Sequence, residues 1–253
     1  MTSSDQTAAT ALVTGASRGF GRAIASALHA EGAEVVAVAR NAERLAALRD
    51  ERGGTLTTEV ADVADPVVAG TLIERYRPDT LVLNAGAPPL MRPIQHHTWE
   101  TFSRNWDVDV RHAFHWIREA LLLPLHPGST VIAMSSGAAV AGSPLSGGYA
   151  GAKGAIRFVT GYAADESERA GLGIRFISVL PKLTAATELG SAAVAAYARR
   201  DGLDVGEYQA RVGPGLTAEE VGKATVDLVS SSEYAPGAYL LTPGGLTPLA
   251  PVG

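Results

Sequence analysis

Thr10-Ala-Leu-Val-Thr-Gly-Ala-Ser-Arg-Gly-Phe-Gly21 is the stretch on which the reading of the chain turns. Thr10–Thr14 is short and apolar, which predicts a buried strand. Gly15, Gly19 and Gly21 follow at once, and the next residues to Ala30 have helical spacing. Glycine tolerates positive φ and lets backbone amides approach an anion at a helix N-terminus. The spacing is G-x-x-x-G-x-G, not the G-x-G-x-x-G of the general dinucleotide fingerprint, so the turn alone also fits an ordinary tight strand–helix connection. No Gly-Lys-Ser or Gly-Lys-Thr follows it, which argues against a P-loop nucleotidase.

Beyond this stretch, strand and helix patterns alternate. Strands are expected at Glu34–Ala39, Leu56–Val60, Thr80–Leu83, Ser129–Met134, Ile174–Leu180 and Ala238–Leu241. Between them lie helical patterns over Asn41–Arg52, Asp65–Tyr76, Thr98–Leu123, Tyr149–Gly171 and Thr217–Val229. Asn41, Asp65 and Thr217 are natural caps, the second followed by an N1 proline and the third paired with Glu220. Trp99, Phe102, Trp106, Val110, Ile117 and Leu121 fall near one stripe of the long central helix, and Trp116 also reads as packing. Such alternation implies parallel strands joined by right-handed crossovers. The expected fold is therefore α/β: a Rossmann-like doubly wound sheet of about seven strands with helices on both faces. Pro181–Pro214 stands outside the alternation and reads as an insertion with a helix over Ser191–Arg200. Residues 1–253 are expected to form a single domain, with about 182–214 as a lid over the carboxyl edge of the sheet.

Composition narrows the function classes. The 253 residues are 46% hydrophobic and 19% charged, enough to bury a core. A net charge of −5 without a basic run argues against nucleic acid as a partner. There is no cysteine, so disulfides and thiolate chemistry are excluded, and a reducing, cytoplasmic location is expected. The amino terminus has no basic or apolar segment of a secretory signal, and no apolar run is long enough for a bilayer. His96, His97, His112 and His115 read as surface or packing residues, and no metal site is expected.

Two arginines bear on the phosphate chemistry. The second strand ends Val38-Ala39-Arg40, where an acid would accept a ribose 2′-hydroxyl and an arginine would bind a 2′-phosphate. With Arg18 in the glycine turn, this favours NADP(H) over NAD. Tyr149 and Lys153 are four residues apart on one predicted helix face. An ammonium beside a phenol favours phenolate and makes a usable proton donor or acceptor. Ser135 and Ser136 end the fifth strand, at the edge where a cofactor would lie. Alone, each of these features is common.

In order, however, Thr14-Gly-Ala-Ser-Arg-Gly-Phe-Gly21, Asp62-Val63, Asn84-Ala-Gly86, Ser136 and Tyr149-Ala-Gly-Ala-Lys153 resemble the short-chain dehydrogenase/reductase family, Tyr-x-x-x-Lys type, over nearly the whole chain. The resemblance implies an NADP(H)-dependent ketoreductase or alcohol dehydrogenase acting on a small carbonyl or secondary alcohol. Tyr149 would be the general acid or base, Lys153 its partner and a ribose ligand, and Ser136 the donor to the substrate oxygen. Gly15, Ser17, Arg18, Gly19, Phe20 and Gly21 would bind the pyrophosphate end, and Arg40 the 2′-phosphate. Asp62 and Val63 would meet the adenine, Asn84, Ala85 and Gly86 the channel beside it, and Pro181 and Thr184 the nicotinamide. A homotetramer or homodimer built on the two long helices is also implied, with Leu246–Gly253 near an interface.

Two positions depart from that pattern. Asp109 stands where the family usually has an asparagine that holds a relay water, and it is expected to substitute in the proton relay. Asn105, one turn earlier, is the less favoured alignment. Lys182 stands where a glycine is usual. These departures keep two other readings open: a cofactor-binding sensor or scaffold without turnover, and a dehydratase or epimerase on the same fold. The insertion is rich in Ala, Leu, Val and Tyr, so an apolar substrate is expected.

Overall fold

A computed structural model describes residues 8–250. The strands are β1 Thr10–Thr14, β2 Glu34–Ala39, β3 Thr57–Val60, β4 Thr80–Leu83, β5 Thr130–Met134, β6 Arg175–Pro181, β7 Gly237–Thr242 and β8 Gly245–Pro248. They form one sheet in the order β3-β2-β1-β4-β5-β6-β7-β8, parallel except for β8, which pairs antiparallel to β7. Chain direction across the sheet reverses between β1 and β4, so a crevice opens there beyond the strand carboxyl ends. Seven strands were expected. The eighth is a short edge hairpin whose Gly-Leu-Thr-Pro sequence has little strand character.

Both faces of the sheet are covered. Ala11, Val13, Val35 and Ala37 pack with Ile24 and Leu28 of α1 (Gly19–Ala30), Leu45 and Leu48 of α2 (Ala42–Glu51), and Val221 and Leu228 of α10 (Ala218–Ser230). Leu12, Val36, Val38 and Leu81 face the other way. They pack with Leu72 and Ile73 of α3 (Pro66–Tyr76), Trp116 and Ile117 of α5 (Arg111–Leu122), and Ile156 of α7 (Gly147–Arg169). Alternate residues of one strand thus feed two cores, which explains the nearly unbroken apolar runs. No helix among the described residues is long and apolar enough to cross a membrane.

The expected continuous helix over Thr98–Leu123 is corrected. It consists of α4 (Trp99–Asn105), a π-helical turn (Trp106–Val110) and α5. The wider turn inserts a residue into the helical period and carries Asp109 into the interior, where it is 1% exposed. The same break moves Trp99 and Trp106 off the buried stripe. Trp99 is 78% exposed, whereas Trp116 is fully buried and its indole N–H donates to the Val63 carbonyl. The insertion contains two helices where one was expected, α8 (Glu188–Asp201) and α9 (Val205–Val212). They share a small core of Val194, Ala198 and Tyr208. A further single turn, α6 (Ala138–Ala141), follows β5.

The head of α7 is pressed against α4. A methyl group on Gly148 would sit 2.0 Å from the Phe102 carbonyl oxygen, whereas one on Gly154 of the same helix would meet nothing within 4 Å. Gly148→Ala should therefore cost about 1–3 kcal/mol by overpacking, while Gly154→Ala should be neutral or stabilising by about 0.5–1 kcal/mol. Urea titration of both variants checks this, and equal effects would contradict the close approach.

Candidate active site

The crevice begins with Thr14 at the end of β1. Its hydroxyl donates to the Val82 carbonyl (3.1 Å) and accepts from the amides of Asn84 (2.9 Å) and Ala85 (3.3 Å), joining the ends of β1 and β4. Asn84 reaches back, its Nδ2 donating to the Thr14 carbonyl at 3.1 Å. Gly15 takes φ +68°, and a methyl group there would lie 2.8 Å from Ala85 Cα. On Gly21 it would lie 2.4 Å from Asn84 Nδ2. Glycine at both positions thus keeps the turn against the β4 loop and leaves a cradle above it. Thr14 belongs to the quoted motif, but its two-strand role needs the β1–β4 adjacency to be seen.

A cavity of about 1210 Å³ runs from this turn along the carboxyl edge of the sheet. All but one of the expected site residues line it, from Gly15, Ser17, Arg18, Gly19 and Phe20 through Arg40, Asp62, Val63, Asn84, Ala85 and Gly86 to Ser136, Tyr149, Lys153, Asp109, Pro181 and Thr184. Gly21 does not; it is buried beneath the turn, where it sets the approach of α1. Sequence reasoning missed Arg44, which stands beside Arg18 on the wall; both pair with Glu188 at the head of α8, Arg44 at 3.5 Å. Thr187 also lines the cavity and caps α8 by accepting the Gly190 amide.

At the other end, α7 is fixed on β5. Ser135 Oγ donates to the Lys153 carbonyl (2.7 Å) and Lys153 Nζ donates to the Met134 carbonyl (3.1 Å). Ser135 is thereby spent on structure. Ser136 Oγ accepts the Ala138 amide at 3.2 Å and stands at the cavity wall. Lys153 Nζ lies 5.5 Å from the Tyr149 ring centroid and 3.2 Å from Asp109 Oδ2, an ion pair rather than an aligned hydrogen bond. Asp109 Oδ1 accepts the Ala87 amide at 2.7 Å, and Asn105 Nδ2 donates to the Ala87 carbonyl at 2.7 Å. Both alignments considered for the relay position therefore lead into one buried cluster. Burial alone would lower the Lys153 pKa. The charges of Asp109 and Tyr149 outweigh it and hold the ammonium above its usual range.

Lys182, at the usual glycine position, turns its side chain toward the insertion. Its Nζ donates to the Val212 carbonyl at the end of α9 (3.0 Å), a favourable place for a cation.

A sequence profile of the family described as short chain dehydrogenase matches residues 9–198. The chain belongs to that family. Among curated relatives, a 3beta-hydroxysteroid dehydrogenase of Mediterraneibacter gnavus is 31% identical over 189 residues, covering 72% of this chain and 68% of the relative. An NADPH carbonyl reductase of Sus scrofa is 33% identical over 153 residues, covering 59% of this chain and 62% of the relative. Among solved structures, levodione reductase superposes with a TM-score of 0.81 at 25% identity, covering 93% of this chain and 96% of that one. An NAD+-bound xylitol dehydrogenase gives 0.79 at 23% identity, a likeness of fold, covering 92% and 97%. The chain is thus an oxidoreductase of the short-chain type, and relatives named for NADPH and structures named for NAD+ both occur around it.

His112, one turn from Asp109, is 1% exposed and packs edge-on to Trp116 with centroids 6.0 Å apart. Burial, and then the charge of Lys153, push its pKa down to about 3. The unfolded chain binds a proton at this imidazole near pH 6.5, so its contribution to stability is full above that value and is lost as pH falls toward the folded pKa. Between pH 7.5 and 5 the loss from this one group is about 2 kcal/mol. Urea titrations should show His112→Gln losing about that much less than the wild type over this interval. Parallel pH dependences would mean that the ring protonates normally in the folded protein.

Proposed function

We propose that the chain is an NADP(H)-dependent ketoreductase that interconverts a carbonyl and a secondary alcohol, with Tyr149 as general acid and base. The convergence of Ser136, Tyr149 and the buried Lys153–Asp109 pair on one cavity wall carries this reading. In reduction Tyr149 gives its phenolic proton to the substrate oxygen; in oxidation it takes that proton back. Ser136 donates to the same oxygen and stabilises the charge that develops there. Lys153, held charged by Asp109, stabilises the phenol oxygen as its proton leaves. Asp109 takes the place of a neutral relay group.

The residues fit a dinucleotide. The cradle over Gly15 and Gly21, with the amides at the head of α1, suits a pyrophosphate. Arg18, Arg40 and Arg44 line the same cavity, Arg18 and Arg44 meeting at Glu188, and no acid ends β2, which suits a 2′-phosphate. Asp62 and Val63 would hold the adenine, and Pro181 and Thr184 the nicotinamide. When bound there, the nicotinamide supplies or accepts the hydride. The NADPH named for the Sus scrofa carbonyl reductase agrees with this choice.

Residues 182–214 act in this reading as a lid on a single catalytic domain. Phe114 of α5, Phe158 and Tyr162 of α7, and Trp99 of α4 are exposed apolar side chains on the long helical segments, which supports a homodimer or homotetramer built on those helices. The expected contact of Leu246–Gly253 lies partly outside the described residues; within them, Arg157 of α7 donates to the Ala250 carbonyl at 2.9 Å. The absence of cysteine supports a cytoplasmic location.

The test follows NADPH absorbance with a panel of ketones. Tyr149→Phe should lower turnover by about 10²–10⁴-fold. Arg40→Ala should weaken NADPH and leave NADH little changed. Full turnover in Tyr149→Phe would sink the assignment of the acid, and an unaltered NADPH to NADH ratio would sink the phosphate role of Arg40.

A further inference from the structure

The part of the cavity wall beyond Ser136 and Tyr149 carries three hydroxyls that the proposed hydride transfer does not use. Ser143 Oγ lies 2.5 Å from Ser146 Oγ and also bonds the Tyr197 hydroxyl. All three residues line the same cavity. Resting on the carbonyl–alcohol reading of this site, we propose that they form a subsite for a second oxygen of the substrate, which is a hydroxyketone in one direction and the corresponding diol in the other.

Hydrogen-bond counting supports this. Three hydroxyls carry three protons and six lone pairs, and their two mutual contacts use two of each kind. One proton and four lone pairs remain, with no further side-chain or backbone partner among the described residues. Ser146 is 5% exposed, Ser143 and Tyr197 are half-buried, and all three line the cavity, so this spare capacity is open to a ligand there. A ligand hydroxyl can both accept the free proton and donate to a lone pair. A plain ketone would leave these groups facing hydrocarbon.

The cluster is also held from two sides of the cavity that Ser136 and Tyr149 line. Ser146 immediately precedes α7, three residues before Tyr149, and its hydroxyl is not spent on capping the helix. Ser143 lies in the connection that leads from Ser136 to α7. Tyr197 comes from the opposite side, on α8, and its ring stacks on Tyr208 at 6.3 Å and 10°. Tyr208 is itself 7% exposed in the small lid core, with the Arg211 guanidinium 5.1 Å from its ring centre. The second oxygen is therefore gripped between the connection from β5 to α7 and helix α8 of the insertion. Leu183, Leu189 and Ala193 line the cavity nearby, so the carbon frame of the substrate can still be apolar.

The experiment compares kcat/KM for 2-hydroxycyclohexanone and cyclohexanone with NADPH. The wild type should favour the hydroxyketone by at least about tenfold. Tyr197→Phe keeps the stacked ring and removes only the hydroxyl; it and Ser143→Ala should each lower that ratio several-fold, and Ser143→Thr should restore it. Titration calorimetry of trans-1,2-cyclohexanediol should show weaker binding in the same two variants. Turnover of both ketones with no preference, or variants that lose rate on both alike, would overturn the subsite and reduce the cluster to a tie between loop and lid. Turnover of neither ketone would overturn the carbonyl reading itself, and the subsite with it.

Discussion

Lys153 and Asp109 meet 3.2 Å apart, at 6% and 1% side-chain exposure, where either charge alone would be costly. Much of the site is arranged around that pair. Asp109 can reach it because the π-helical turn carries it inward, and it is held there by the Ala87 amide. Gly86 leaves room, since a methyl group there would lie 2.6 Å from Asp109 Oδ2. Lys153 is pinned from the other side through its ammonium and its carbonyl to the end of β5. The loop after β4, the break in the long helix, the end of β5 and the head of α7 are therefore fixed relative to one another by one ion pair. Removing one partner would strand the other at a cost of about 3–5 kcal/mol. A buried pair of this kind is weak evidence of stability for its own sake. Its proposed value is positional, holding a cation beside Tyr149.

A second constraint sits at the opposite end of the cavity. Thr14 binds both flanking strands, and Asn84 and Gly15 lock the turn against the β4 loop. The proposed pyrophosphate cradle and the proposed catalytic wall are thus built on adjacent strand ends of the same sheet, β1 and β4 on one side and β5 on the other. Insertion helix α8 spans both ends, through Glu188 at the arginines and Tyr197 at the hydroxyls. The lid proposed for this segment would accordingly sense both ligands.

Much of this was legible in the sequence because the parallel strands are buried on both faces and read as continuous apolar runs, as in Glu34–Ala39 and Thr130–Met134. The expected site residues other than Gly21 gather on one cavity because most follow a strand carboxyl end, which topology brings together, while Asp109, Tyr149 and Lys153 stand on helical segments packed beside those ends. What was not legible depends on geometry that leaves little trace in residue type. The π turn preserves helical spacing on either side, so Trp99 and Trp106 looked buried. Edge strand β8 is short and contains proline. Helix α9 has eight residues, too few to show a clear period, and only the structure shows the Asp204–Glu207 capping box that opens it. The roles of Thr14 and Gly21 emerge only when β1 and β4 are seen side by side.

The pH dependence of kcat/KM in Asp109→Asn tests the central claim most directly. Asparagine keeps the shape of the side chain and removes the charge that holds Lys153 protonated against its burial. The alkaline limb of the profile should then move to lower pH than in the wild type, with the acid limb less affected. An unchanged alkaline limb would contradict the account, because Lys153 would be keeping its charge without Asp109.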